Sequence, residues 1–139
     1  MRRYLIVANQ TLTSPQLVSE ILERNAREEA AFHLLVPASR MHGTAFWTEG
    51  SAHAQASDAL ATAQRFYRDA GVATTGEVGD ESPVLAIGDV LRREKFHEII
   101  VSTLPASISR WLKLDLPHRI ERHHHVPVTH IVSTLERVS

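Results

Sequence analysis

The residues of this chain best equipped for chemistry stand together after one apolar run: Ser102, Thr103, Ser107, Ser109 and Arg110, with Trp111 directly behind them. Hydroxyls both donate to and accept from an oxyanion, and an arginine guanidinium keeps its charge and can grip phosphate or carboxylate through two parallel bonds. A cluster of this kind is suited to hold an anion. A second polar group, Asn9, Gln10 and Thr11, closes the first apolar run of the chain. Neither group contains a catalytic constellation: cysteine is absent, and there is no glycine-flanked serine elbow, Walker loop or full dinucleotide fingerprint. No catalytic residue is assigned, and binding is expected ahead of catalysis.

Each neighbouring candidate has a plainer alternative. Arg110 could clamp a ligand or pair with a structural acid such as Asp115. Ser107 could cap a short helical turn in which Ile108, Trp111 and Leu112 face inward, leaving Ser109 and Arg110 toward solvent. Asp115 is expected to cap the next helix, its carboxylate meeting free N–H groups at the positive end of the dipole. His123, His124 and His125 are adjacent, so on a helix they point in different directions and form no metal set; they read as a solvated helix end.

The elements that must position these residues follow from periodicity. Tyr4–Ala8 reads as a strand, and Ser14-Pro15 supplies a cap and first-turn proline for a helix marked by Leu17, Val18, Ile21 and Leu22. Ala31–Val36 is a second strand, stopped by Pro37. Ala38–Gly50, with His42 and Trp47, has no period and reads as a long loop. Ala52–Ala70 carries a helical apolar face that ends at Gly71, and Val72–Val78 is a loosely alternating edge strand. Ser82-Pro83 starts a third helix, Ile99–Val101 is a buried fourth strand, a fourth helix begins near Asp115, and Val126–Val132 is a fifth strand. Five short strands alternating with four helices imply an α/β fold: one Rossmann-like, doubly wound parallel sheet of order 3-2-1-4-5. Ligands of such sheets bind where the strand order reverses, here between strands 1 and 4, which brings Asn9–Thr11 beside Ser102–Arg110.

Composition narrows the partners. At 139 residues the chain is expected to form a single domain spanning 1–139, with no repeat or linker. Its net charge of -1 does not mark the surface as a polyanion binder, so nucleic acid is not an expected partner. The apolar start ends at Ala8, too short for a signal-peptide core or a membrane span, so a soluble cytoplasmic protein is expected.

Val78-Gly79-Asp80 closing strand 3, Ala86-Ile87 in helix 3 and His125-Val126-Pro127-Val128 leading into strand 5 resemble, in order and spacing, the universal stress protein family across essentially the whole chain. The resemblance implies the doubly wound fold, a role in stress response, ATP as a possible ligand, and a homodimer formed through strand 5. In that family an acidic residue after strand 1 and a glycine-rich loop after strand 4 hold ATP. Here Asn9 stands at the acidic position, and no glycine follows Gly88. Glycine lets backbone N–H groups approach phosphate and bulky side chains obstruct them, so ATP binding by that mode is expected to be weak or absent.

Three functions stay open at this point. The leading one is a stress-related or regulatory module holding a nucleotide or other small anionic ligand at Asn9, Gln10, Thr11, Ser102, Thr103, Ser107, Ser109 and Arg110. The alternatives are an enzyme acting on a phosphorylated or nucleotide substrate, and a ligand-free homodimeric interaction protein.

Overall fold

A computed structural model describes residues 1–39 and 48–138. Five strands, β1 (Arg2–Val7), β2 (Ala30–Pro37), β3 (Thr74–Gly79), β4 (Glu98–Thr103) and β5 (Val128–Val132), form one parallel sheet of order β3-β2-β1-β4-β5. Helices α1 (Pro15–Arg27), α2 (Glu49–Asp69), α3 (Pro83–Arg93), α4 (Arg110–Lys113) and α5 (Leu116–His124) make the connections. The doubly wound α/β fold is therefore as the sequence implies, with one helix more than expected. Most of the long loop, with His42 and Trp47, lies outside the described residues.

Side-chain alternation along β1 creates two cores. Tyr4 and Ile6 face one side, where they meet Leu17 and Ile21 of α1, Phe32 and Leu34 of β2, and Tyr67 of α2. Leu5 and Val7 face the other, against Ile87 and Val90 of α3, Ile99 and Val101 of β4, and Leu116 and Ile120 of α5. The middle of the sheet is buried on both faces, which is why β1 and β4 read as nearly unbroken apolar runs.

Local chemistry shifts several boundaries. Helix α2 begins earlier than its apolar face suggests, because Thr48 and Ser51 form a reciprocal capping box. It ends in a left-handed Gly71 with φ 82°, where Gly71 N–H donates to Arg68 and Val72 N–H donates to Tyr67. Val72 is thereby tied to the helix end, so β3 starts at Thr74 rather than Val72. Strand β5 starts at Val128 rather than Val126, since Pro127 has no N–H for the ladder and contributes its carbonyl to Ile99 N–H instead. Ser82 caps α3 through Leu85 N–H, as the Ser-Pro pair suggests. Ser14 takes the corresponding place before α1, but its side chain makes no cap bond and its wholly buried Oγ has no partner among the described residues.

Gly79 sets how closely α3 approaches the sheet. A Cβ there would lie 2.7 Å from Ala86 Cβ and 2.9 Å from Leu35 Cδ1. Ala86 has no rotamer that could relieve the clash, so Gly79→Ala should destabilise the fold by about 1–3 kcal/mol through overpacking. Urea unfolding checks this, with Gly50→Ala as control, because a Cβ at Gly50 meets nothing within 4 Å.

Candidate functional site

Two facing strand ends make the crevice. Strands β1 and β4 are paired from Tyr4↔Glu98 to Val7↔Val101, and beyond this ladder the two chain segments turn to opposite faces of the sheet. A cavity of about 80 Å³ opens there, lined by Asn9, Gln10 and Thr11 from one segment and by Ser102, Thr103, Ser109 and Arg110 from the other. Ser39, at the end of β2, also reaches it. Seven of the eight candidate residues thus share one wall system.

Ser107 does not belong to it. Pro105 accepts from Ile108 N–H and Ser109 N–H at 3.0 and 2.9 Å, closing a turn with exposed Ser107 at its tip. The helix cap accordingly falls to Ser109, whose Oγ accepts from Leu112 N–H at 3.2 Å. Ser109 is buried rather than turned to solvent, and its hydroxyl hydrogen remains available to a ligand.

Asp115 also departs from expectation. It ends α4 in the left-handed region with φ 55°, a conformation that Asp tolerates, and its N–H donates to Leu112. That bend swings the carboxylate away from the start of α5, where it meets His118 Nδ1 at 3.0 Å instead of capping the helix. It does not pair with Arg110, whose guanidinium has no ion-pair or hydrogen-bond partner among the described residues.

The crevice floor is a chain of hydroxyls. Thr11 Oγ1 lies 2.7 Å from Ser102 Oγ, which lies 2.7 Å from Ser133 Oγ, and all three residues are buried. The chain ties the ends of β1, β4 and β5 together. On the other face of β4, Thr103 Oγ1 meets His130 Nε2 at 2.8 Å. Burial holds the His130 imidazole below its ordinary pKa, which favours the neutral ring. Asn9 Nδ2 donates to Pro37 O at 2.6 Å, which fixes the amide orientation and leaves its buried Oδ1 with no partner among the described residues.

Ser39, His130 and Ser133 are absent from the sequence-based set. A signal for Ser133 exists: Val101-Ser102-Thr103-Leu104 recurs as Val132-Ser133-Thr134-Leu135 at the end of the neighbouring parallel strand. His130 gives no such sign, because its role depends on a diagonal contact across the β4–β5 ladder.

A candidate metal set lies outside the crevice lining. His33, Glu77 and Glu94 each bring a ligand atom within 4.8 Å of the others. Glu77 is also bound by Arg93 at 2.6 Å and Glu94 by Arg3 at 2.7 Å, so two guanidinium groups already balance the two carboxylates. The three adjacent histidines form no such set among the described residues. His124 is held below its ordinary pKa by burial and by the neighbouring imidazoles.

Comparison with protein-family models gives no match, and no curated protein matches the chain.

The hydroxyl chain has a measurable consequence. Ser102→Ala removes its middle member and strands Thr11 and Ser133, which are 2% and 0% exposed. The expected loss is about 1–3 kcal/mol of unfolding free energy, the usual cost of leaving buried polar groups unpaired. Denaturant titration of the variant measures it, and a loss within error of zero would show that the three hydroxyls find other partners.

Proposed function

We propose that this protein is a small regulatory binding module of the universal stress protein type, holding a small anionic ligand in the crevice beyond β1 and β4. The observation that carries the reading is Arg110, an unpaired guanidinium among the described residues, set on a wall otherwise made of hydroxyl and amide side chains. Such a charge selects an oxyanion, and the neighbouring neutral donors add bonds without adding repulsion.

The strand order, together with the Gly79-Asp80 and Val126-Pro127-Val128 features, supports the family assignment. A stress-related role and a nucleotide ligand follow from that resemblance, and a cytoplasmic location accompanies it. No helix of the described residues is long and apolar enough to cross a membrane. ATP held by backbone N–H groups is not part of the reading, because the segment after β4 offers side-chain donors where a phosphate loop would offer glycines.

One observation favours catalysis as a second reading. The contact between Thr103 and His130 joins a hydroxyl to an imidazole of lowered pKa at the crevice wall, an arrangement that can activate a nucleophile. No third group orients the other ring nitrogen among the described residues, so binding stands ahead of it.

Arg110→Ala should weaken binding of inorganic phosphate by about 1–3 kcal/mol while leaving the melting temperature nearly unchanged, since the side chain is exposed and unpaired. Arg110→Lys should restore part of the loss, lacking the planar fork. Calorimetry decides the matter, and unchanged affinity in the Ala variant would remove Arg110 from the site.

The same reading includes a homodimer through β5. This strand forms one edge of the sheet, and its last residue, Val132, is 51% exposed, with Leu135 just beyond it at 48%. An open parallel edge of this kind invites pairing with a second copy. Light scattering at tens of micromolar should give the mass of two chains; a single-chain mass under those conditions would exclude the dimer.

A further inference from the structure

The cleft changes character as it leaves the sheet. The small inner cavity, lined chiefly by hydroxyl and amide groups, shares Ser39, Arg110 and Trp111 with a wider outer cleft of about 680 Å³. The outer cleft is bounded by Pro83 at the start of α3, by Leu114, and by Lys113 and Glu81. Arg110 and Lys113 are three residues apart on α4, a spacing that places them on neighbouring positions of one helix face. Arg110 therefore stands at the junction between a polar cavity and an apolar-walled one, with Lys113 and Glu81 farther out on the cleft.

We infer that the ligand is an organic phosphomonoester, its phosphoryl group seated in the inner cavity against Arg110 and its aromatic or alkyl body lying in the outer cleft against Trp111, Pro83 and Leu114. This rests on the anion-binding reading above and narrows it to a chemical class. A phosphomonoester carries close to two negative charges on three terminal oxygens at neutral pH, which suits Arg110 together with the hydroxyl wall of the inner cavity, whereas a carboxylate offers one charge and two oxygens. A bare phosphate would leave the apolar wall unused, and a triphosphate chain running into the outer cleft would bring further negative charge beside Glu81. Trp111 is 8% exposed, mostly packed into the α3–α5 core, so the part that reaches the cleft is held rigidly and gives a fixed apolar surface.

The test uses the full chain with Trp47→Phe, so that Trp111 is the remaining tryptophan and its fluorescence reports the junction. Phenyl phosphate, inorganic phosphate and benzoate are titrated by calorimetry and fluorescence. Phenyl phosphate should bind about tenfold or more tighter than either fragment, as burial of an apolar body on top of an anion contact predicts, and should change Trp111 emission. Lys113→Ala and Leu114→Ser should each reduce phenyl phosphate affinity several-fold, with Ser107→Ala, outside the cavity, leaving it unchanged. Equal affinity for phenyl phosphate and inorganic phosphate, both dependent on Arg110, would overturn the two-part ligand and leave the anion site standing. Benzoate binding as tightly as phenyl phosphate would replace the phosphate class with carboxylates. Failure of all three probes to bind at millimolar concentration would overturn both readings.

Discussion

The pairing of β1 with β4 is the constraint on which the rest of this structure depends. It joins the first strand of the chain to one almost a hundred residues later, and Tyr4↔Glu98 to Val7↔Val101 fixes its register. Leu5, Ile6, Val7, Ile99, Ile100 and Val101 are wholly buried, so a slip by one residue would turn each apolar set to the wrong face. Once this ladder is set, right-handed crossovers carry β2 and β3 to one side and β5 to the other. The two segments that follow β1 and β4 must then diverge. A crevice at their ends is a geometric result of that divergence, and the residues placed there decide what it can hold.

Those residues divide between structural and ligand-facing work. Ser102 Oγ has hydroxyl neighbours on both sides, Thr11 and Ser133, so much of its bonding capacity serves the fold. A buried hydroxyl chain of this kind gains when every member is satisfied, because each bond polarises the next, and it becomes costly when one member is missing. The capacity left for an anion lies with Ser109, whose oxygen caps α4 while its hydrogen stays available, and with Arg110 directly after it. Thr103 stands between the two groups, its hydroxyl shared with His130. The cluster that looks uniform in sequence is therefore a floor that holds strand ends and a wall that can hold a ligand.

Elements with strong local signals were legible in the sequence. The β-branched run Ile99-Ile100-Val101, the Ser-Pro pairs before α1 and α3, and Gly71 after α2 led to the right order of strands and helices, and the strand order located the crevice. Signals that depended on a single side chain were less reliable. Ser107 and Ser109 are both plausible caps in sequence; the turn closed by Pro105 decides between them, and that turn is a backbone event with no periodicity. Asp115 has the composition of an N-cap, yet it also follows the last turn of α4, and the left-handed bend that ends one helix denies its carboxylate to the next. Ser133 and His130 needed the β4–β5 register before they could be placed.

Charge balance separates the two polar clusters more sharply than residue type does. Around His33 the side chains could be taken for a metal set, but Arg93 and Arg3 bring as many positive charges as Glu77 and Glu94 bring negative ones. Burial pushes the Glu77 carboxyl up, while hydrogen bonds from His33 and Arg93 outweigh that and hold it below the ordinary carboxylate range. A dication entering there would have to displace both arginines and leave two positive charges beside it, so the network stands as ion pairs that join β1, β2, β3 and the end of α3. At the crevice the balance runs the other way. Arg110 forms no ion pair among the described residues: Asp115 turns to His118, and Glu81 shares the outer cleft with Arg110 and Lys113 without pairing to either. An anion bound there, as proposed, would meet a guanidinium that no acid among the described residues neutralises and a hydroxyl wall able to replace the bonds water gives it.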